Sequence, residues 1–259
     1  MQWNASEEAQ TIGSKVTQPV PREALLSPSL QTTSQTTAHA YELKFLLPEE
    51  LARELQNWAA AHLSVDAFAD SEQGDSYQTT TLYLDTAALD LFHQAQKFRG
   101  RKYRLRRYGQ EVIVYLERKR RRGDRVRKRR TSVLEAELAL VAAQQQRAGQ
   151  SEEWFCQKVI QHELLPSCCI TYERAAFMKL GTTGPMRLTF DRRIRGVRAS
   201  DWSVLPVSDG ATILTGEVIC EFKFRETLPV LFQQIIEEMQ LQPASVSKYR
   251  RLMQAILNP

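Results

Sequence analysis

Segments that alternate apolar and charged residues at every second position set the tightest limit on how this chain can fold. In CEFKFRE, Cys220 to Glu226, a strand would point Glu221 and Lys223 one way and Cys220, Phe222 and Phe224 the other. YELKF, Tyr41 to Phe45, repeats the design with Glu42 and Lys44. KYRLRRYG sets Lys102, Arg104 and Arg106 against Tyr103 and Leu105, and VYLERK puts Glu117 and Lys119 together. TYERAAF pairs Tyr172 with Arg174, and MRLTFD turns Arg187, Thr189 and Asp191 away from Leu188 and Phe190. GEVICEFKF adds Glu217 to the face of Glu221 and Lys223. A merely solvated sheet face would also carry Ser, Thr, Gln and Asn in quantity, whereas these faces carry mainly Arg, Lys and Glu.

A closed antiparallel barrel, with the charged faces inside and helices on an apolar outside, accounts for the pattern. About eight strands leave room for side chains or one small ligand. Charges lining such an interior need partners. The basic positions Lys44, Arg104, Arg106, Lys119, Arg174, Arg187 and Lys223 are too many for one monophosphate and suit a triphosphate or a longer chain. Arginine would contribute forked contacts and lysine point charges. The carboxylates would hold a hard divalent cation, Mg²⁺ or Mn²⁺, bridging to phosphate oxygens.

The rest of the chain agrees with an α+β domain. Residues 1–38 are rich in Gln, Ser, Thr and Pro without periodicity and read as a disordered tail, leaving 39–259 as a single domain. Strands are expected at Tyr41–Leu46 and Tyr77–Thr86, at KYRLRRYG and EVIVYLERKR as a hairpin about Gly109 and Gln110, and at CCITYERAAF, MRLTFDRRIRGV and TGEVICEFKF. Helices are expected over Pro48–Leu63, Ser132–Ala148, Ser151–Leu165, Leu228–Leu241 and Ser245–Ile256, with a short one at ALDLFHQAQ. No apolar run reaches the roughly 18 residues of a membrane helix. The N-terminus has no apolar core of a secretory signal, so a cytoplasmic protein is expected. The four cysteines, 156, 168, 169 and 220, form no Cys-x-x-Cys pair and read as reduced core residues. The four histidines are scattered, and no Ser–His–Asp set is present.

Net charge is +5, concentrated in Arg118 to Arg130, where ten basic residues meet one Asp. Such a run points to a polyanionic partner, or to a solvated hairpin tip.

The ordered series YELKF, TLYLDT, KYRLRRYG, YLERKR, TYERAAF, RLTFDRRI, CEFKFRETLP and SVSKYRR resembles the VTC domain. This is the catalytic domain of polyphosphate polymerases, within the triphosphate tunnel metalloenzyme (CYTH-like) superfamily. The resemblance runs from about Tyr41 to Ile256 and implies an eight-stranded β-barrel tunnel with a charged lumen and flanking helices. It implies transfer of the ATP γ-phosphate to a growing inorganic polyphosphate, assisted by Mn²⁺ or Mg²⁺. Arg104, Arg106, Lys119, Arg174, Arg187 and Lys248 would be catalytic. Lys44, Tyr172, Lys223, Ser247, Glu42 and Glu117 would bind substrate, and Glu221 with Glu217 would hold the metal. Ser247 and Lys248 would act from the start of the last helix, where an anion is well placed.

Two departures matter. His93 stands where eukaryotic members carry a basic residue. Ala40 replaces the first Glu of the hydrolases' Glu-x-Glu-x-Lys strand, leaving Glu42 and Lys44 and favouring the polymerase branch. The SPX domain and membrane anchor of the eukaryotic complexes have no counterpart in this sequence, so neither an inositol-phosphate sensor nor a translocation route is expected. Three functions remain open: the polymerase, a tripolyphosphate or nucleoside triphosphate hydrolase of the same tunnel, and a non-catalytic module binding polyphosphate or nucleic acid through 118–130. Oligomeric state is not legible.

Overall fold

The computed structural model describes residues 35–66, 75–123, 125–143, 151–182 and 184–258. The tail expected over 1–38 lies outside the described residues up to residue 34, and β1 begins at Gln35. The strands are β1 (Gln35–Pro48), β2 (Ser64–Val65), β3 (Ser76–Asp85), β4 (Arg101–Tyr108), β5 (Ile113–Arg122), β6 (Arg125–Leu134), β7 (Leu165–Gly181), β8 (Gly184–Arg198), β9 (Ala211–Thr212) and β10 (Glu217–Phe224). The helices are α1 (Glu49–His62), α2 (Leu138–Ala142), α3 (Glu153–His162), α4 (Val230–Glu238) and α5 (Lys248–Leu257).

Eight strands follow the order β7-β3-β4-β5-β6-β1-β10-β8, and β8 pairs with β7 to close the ring. Every pairing is antiparallel. The two-residue strands β2 and β9 extend β7 and β8. A closed barrel has no edge to protect, and the period of two then decides which side chains go in.

The apolar faces point outward and are covered by helices. Phe45, Leu47, Leu188, Phe190, Cys220 and Phe222 pack with Ala52, Leu55 and Ala59 of α1 and with Phe232 and Ile235 of α4. On the other side Leu82, Leu84, Leu105 and Leu116 pack with Phe155 and Val159 of α3 and with Leu252 and Met253 of α5. Burying a Leu or Phe in these layers contributes about 1.5–3 kcal/mol. All four cysteines are buried and free.

Register lines the inward residues up in rows. Lys102 of β4, Lys119 of β5 and Lys128 of β6 are direct cross-strand neighbours. Two residues along, Arg104, Glu117 and Arg130 form the next row. Across the barrel, Glu42 stands opposite Lys223 and Lys44 opposite Glu221.

Two expected elements differ. The helix over Ser132–Ala148 gives way to the end of β6, a 3₁₀ turn at Glu135–Glu137 and the short α2, with 144–150 outside the described residues. Ladder pairing of Arg125–Leu134 with β5, and the Trp154 indole donating to buried Thr131 at 3.1 Å, outweigh the Ala/Leu stripe. The helix at ALDLFHQAQ is a run of turns ending in a 3₁₀ turn at Gln96–Phe98. Buried Asp85 captures the amides of Leu91 and Phe92 at 2.8 and 2.9 Å, and Thr86 captures that of Asp90. These local side-chain bonds compete with a helical ladder.

Gly196 lets α5 reach the barrel. A Cβ there would lie 2.4 Å from Leu252 Cδ2 and 2.6 Å from the Cys169 carbonyl oxygen. Because backbone cannot yield as a side-chain tip does, Gly196→Ala is expected to cost roughly 1–3 kcal/mol. It should also displace the helix that carries Lys248. Thermal unfolding of the variant would check the cost.

Candidate active site in the barrel

The barrel encloses a cavity of about 490 Å³ to which all eight strands contribute side chains. Eleven lysines and arginines line it against three carboxylates, Glu42, Asp66 and Glu221. Lys44, Arg104, Arg106, Lys119, Arg174, Arg187, Lys223, Lys248, Tyr172, Glu42 and Glu221, all singled out in the sequence, line it. Lys102, Lys128, Arg130, Tyr77, Tyr83, Tyr108 and Asp66 join them without having been singled out as site residues.

One wall is a network of ion pairs. Lys44 bonds Glu221 at 2.7 Å, Lys223 bonds Glu221 at 3.0 Å, and Lys119 bonds Glu42 at 2.6 Å. Lys223 stands 4.0 Å from Glu42, so its ammonium lies between the two carboxylates. Burial alone would raise the Glu42 carboxyl, but Lys119 and the neighbouring lysines overcome it and hold it at about 2. Glu221 lies well below the usual carboxylate range because Lys44, Lys223 and Lys119 outweigh its burial.

The adjoining wall is built on Asp191, fully buried on β8 beside Ile219 of β10. It accepts two bonds from Arg174, its cross-strand neighbour on β7, at 2.6 and 2.7 Å, and a third from Lys248. Asp191 thereby fixes both a guanidinium fork and the first residue of α5. Lys248 sits 4.5 Å over the Tyr172 ring. Ser247 caps α5 by accepting from the Arg250 amide and also receives Lys102 at 2.9 Å. Arg187 is held by Asp66 at 2.6 Å and by the Tyr77 hydroxyl at 2.9 Å. Asp66 is itself positioned by its amide, which bonds the Ala176 carbonyl at 2.8 Å.

Three predicted residues do not line the cavity: Glu117, Glu217 and Ser247, whose hydroxyl is taken by Lys102 and the Arg250 amide. Glu117 is fully buried and does not line the cavity; Arg104, Lys128 and Arg130 occupy its oxygens, so it anchors cations rather than touching substrate. Glu217 is exposed at the first position of β10, opposite Pro48, while Ile219 is the first residue of that face to reach the cavity. Glu217 stands beyond the rim and does not line the cavity. His93 is exposed and does not reach the cavity.

Some groups are left in want of an anion. Lys102 and Arg106 have no carboxylate within ion-pair distance among the described residues; Arg106 donates its Nε to Thr81 at 3.2 Å. The buried Tyr172 hydroxyl has no hydrogen-bond partner among the described residues. Burial would raise that phenol, but Arg106 and Arg174 pull it below its ordinary value. Burial, reinforced by Lys44, Lys119 and Arg104, pushes Lys102 well down. Burial also lowers Lys119 to about 8, against the pull of Glu42, and Lys128 to about 7, against Glu117. At Tyr108 burial is outweighed by Arg130 and Arg106, bringing the phenol to about 6.

No set of three His, Cys, Asp or Glu residues converges among the described residues. Glu42 and Glu221 do converge, and Mg²⁺-type ions are commonly held by one or two carboxylates together with substrate phosphates. The donors present therefore fit a divalent ion that arrives with its phosphates. No helix among the described residues is long and apolar enough to cross a membrane.

Comparison with solved structures gives the same fold. A Bacillus halodurans protein named as an adenylate cyclase matches with a TM-score of 0.52 at 15% identity, over 82% of this chain and 95% of that one. A Hippeastrum protein, named as an adenylyl cyclase and described as having a dominant triphosphatase activity, matches with a TM-score of 0.51 at 15% identity, over 84% and 96%. No curated protein matches the chain. The VTC domain pattern matches residues 39–257, nearly all of the described barrel and its helices, and the chain belongs to the VTC domain family.

Proposed function

We propose that this protein is a polyphosphate polymerase, transferring the γ-phosphate of ATP to the end of an inorganic polyphosphate chain inside the barrel and releasing ADP. The observation that carries the reading is the cavity's composition: eleven cationic side chains against three carboxylates, drawn from all eight strands. Membership of the VTC domain family supports a phosphoryl-handling enzyme, and the excess of positive charge supports a chain of phosphates as what it handles.

Phosphoryl transfer asks the protein for alignment and charge neutralisation rather than a covalent partner. A terminal oxygen of the acceptor chain forms the new bond to the γ-phosphorus as the bond to the ADP oxygen breaks, and no side chain is modified. Arg106, Arg174 and Arg187 grip non-bridging oxygens with guanidinium forks, and Lys44, Lys102, Lys119 and Lys223 neutralise the chain as point charges. The unpartnered Tyr172 hydroxyl donates to a phosphate oxygen, and Lys248 brings the end of α5 onto the same chain. Glu42 and Glu221 would hold Mn²⁺ or Mg²⁺, which when bound neutralises charge on the phosphate oxygens. The protein acts on ATP and polyphosphate in the cytoplasm under this reading.

Incubation with ATP and Mn²⁺, with and without a short polyphosphate primer, tests it. Chains that lengthen with matching ADP support the polymerase. Free phosphate without longer chains would replace it with a hydrolase.

The lysines predict a pH dependence. In the unfolded chain lysine titrates near 10.4. In the native state Lys128 releases its proton near 7 and Lys119 near 8, so between those values and about 10 the unfolded chain binds more protons. Tyr108, near 6 against about 10 unfolded, acts in the same direction. Stability of the ligand-free protein is therefore expected to rise with pH from about 6 to 9. Tripolyphosphate needs the charged lysines, so its affinity is expected to fall by at least about tenfold from pH 7 to 9. Unfolding temperature and dissociation constant across that range would read the two opposing trends; a flat affinity would show that these lysines do not meet the phosphates.

A further inference from the structure

The basic run does not belong wholly to the cavity. In β5 and β6 the inward positions Lys119, Lys128 and Arg130 line the interior and find carboxylates in Glu42 and Glu117. The outward positions alternate with these and are all arginine: Arg118, Arg120 and Arg122 on β5, and Arg125, Arg127 and Arg129 on β6. Register sets them in facing pairs, Arg118 with Arg129, Arg120 with Arg127 and Arg122 with Arg125. Arg101 of β4 extends the middle pair to three strands. No acidic residue occupies an outward position of either strand in this stretch.

Like charges directly opposite on a sheet are destabilising. Part of the ladder is supported: Trp154 lies under the guanidinium of Arg129 at 4.5 Å and that of Arg118 at 5.8 Å. Arg120, Arg122, Arg125 and Arg127 are exposed. On this face strands lie about 4.8 Å apart and alternate residues about 6.6 Å apart, a density of positive charge that a dense linear polyanion would relieve.

We propose that the outward arginines at the hairpin end of β5 and β6, with Arg101 of β4, form a second polyanion-binding surface, separate from the cavity, that holds a stretch of inorganic polyphosphate outside the barrel. That identity rests on the polymerase reading; the surface itself does not. Two observations favour polyphosphate over nucleic acid. The hairpin projects beyond Lys119 and Lys128, the last charged residues of its inner face to reach the cavity, so a chain leaving the interior meets Arg121 and Arg122 next. Every outward position of the ladder is an arginine, and the two aromatic rings beside it are already engaged: the buried Trp154 indole lies beneath Arg118 and Arg129, and Tyr41, which receives Arg125 at its hydroxyl, stacks on Phe224 at 5.6 Å, so the surface is a charge ladder rather than a row of stacking platforms.

The test uses the whole protein and preformed ligands: a polyphosphate too long for the cavity, tripolyphosphate, and single-stranded DNA. The variant replaces Arg120, Arg122 and Arg127 by Gln. Its affinity for long polyphosphate is expected to fall by about tenfold or more, and the slope of log affinity against log salt to flatten by about 2, as three lost charges imply. Tripolyphosphate affinity should be unchanged, unfolding temperature should hold or rise as facing like charges are removed, and Lys at the same three positions should restore long-chain binding. Equal long-chain affinity in variant and parent would overturn the proposal. So would single-stranded DNA binding at the ladder as tightly as polyphosphate of equal charge. Because no turnover is measured, failure of the polymerase reading would appear separately, in the primer assay.

Discussion

Arg106→Ala is expected to lower the rate of ADP formation from ATP by roughly two to three orders of magnitude, the loss seen when one preorganised donor to a developing charge is removed. The guanidinium is 5% exposed, lies at the cavity wall between Arg104 and Arg174, and has no carboxylate of its own among the described residues. Its charge is therefore directed at whatever enters the cavity. Arg106→Lys should recover only part of the rate, because an ammonium keeps the charge and loses the fork. Stability should fall by about 1–3 kcal/mol, the cost of leaving the buried Thr81 hydroxyl without this partner. Single-turnover kinetics and thermal unfolding on the same sample would read both effects. A variant that turned over normally would remove Arg106 from the reaction.

Glu117→Gln is expected to do the reverse, harming the fold first. Its carboxylate is fully buried and meets Arg104 at 2.6 Å and Lys128 at 2.6 Å, with Arg130 on the same oxygen as Lys128. These cations outweigh the cost of burial and hold it ionised far below the usual range. Removing the charge leaves three cations facing one another in the barrel wall. Loss of one partner of a buried ion pair costs about 3–5 kcal/mol, which in a domain of this size lowers the unfolding temperature by roughly 6–20 °C. Adding Lys128→Met should restore part of the loss, because it removes one of the stranded charges. A double-mutant cycle by denaturant unfolding would measure that coupling. Additive losses would show that Glu117 and Lys128 do not act together.

The barrel was legible because alternation is a period-two signal, and strands such as Cys220–Phe224 present clean apolar and charged faces. β6 was not, because its pattern is inverted: Val126, its lone apolar residue in the basic run, lines the cavity, and arginines face out. Lys128 and Arg130 were missed with it. Alternation also says which way a residue points but not where the barrel ends, and for that reason Glu217 was grouped with Glu221 although it stands past the rim. Asp191 was read on the charged face, yet its hold on Lys248 joins positions 57 apart in sequence and depends on α5 docking over Gly196. Asp66 carried no signal at all, since only the short pairing of β2 with β7 brings it to Arg187.

The central claim, that the inward cations hold a phosphate chain, is tested most directly by a crystal structure of the protein grown with Mn²⁺ and a non-hydrolysable ATP analogue. The account predicts the triphosphate inside the barrel, its oxygens bonded to Arg106, Arg174 and the Tyr172 hydroxyl, with Glu221 facing the ion. A triphosphate bound only on the outer arginine ladder, with the cavity unchanged, would contradict it.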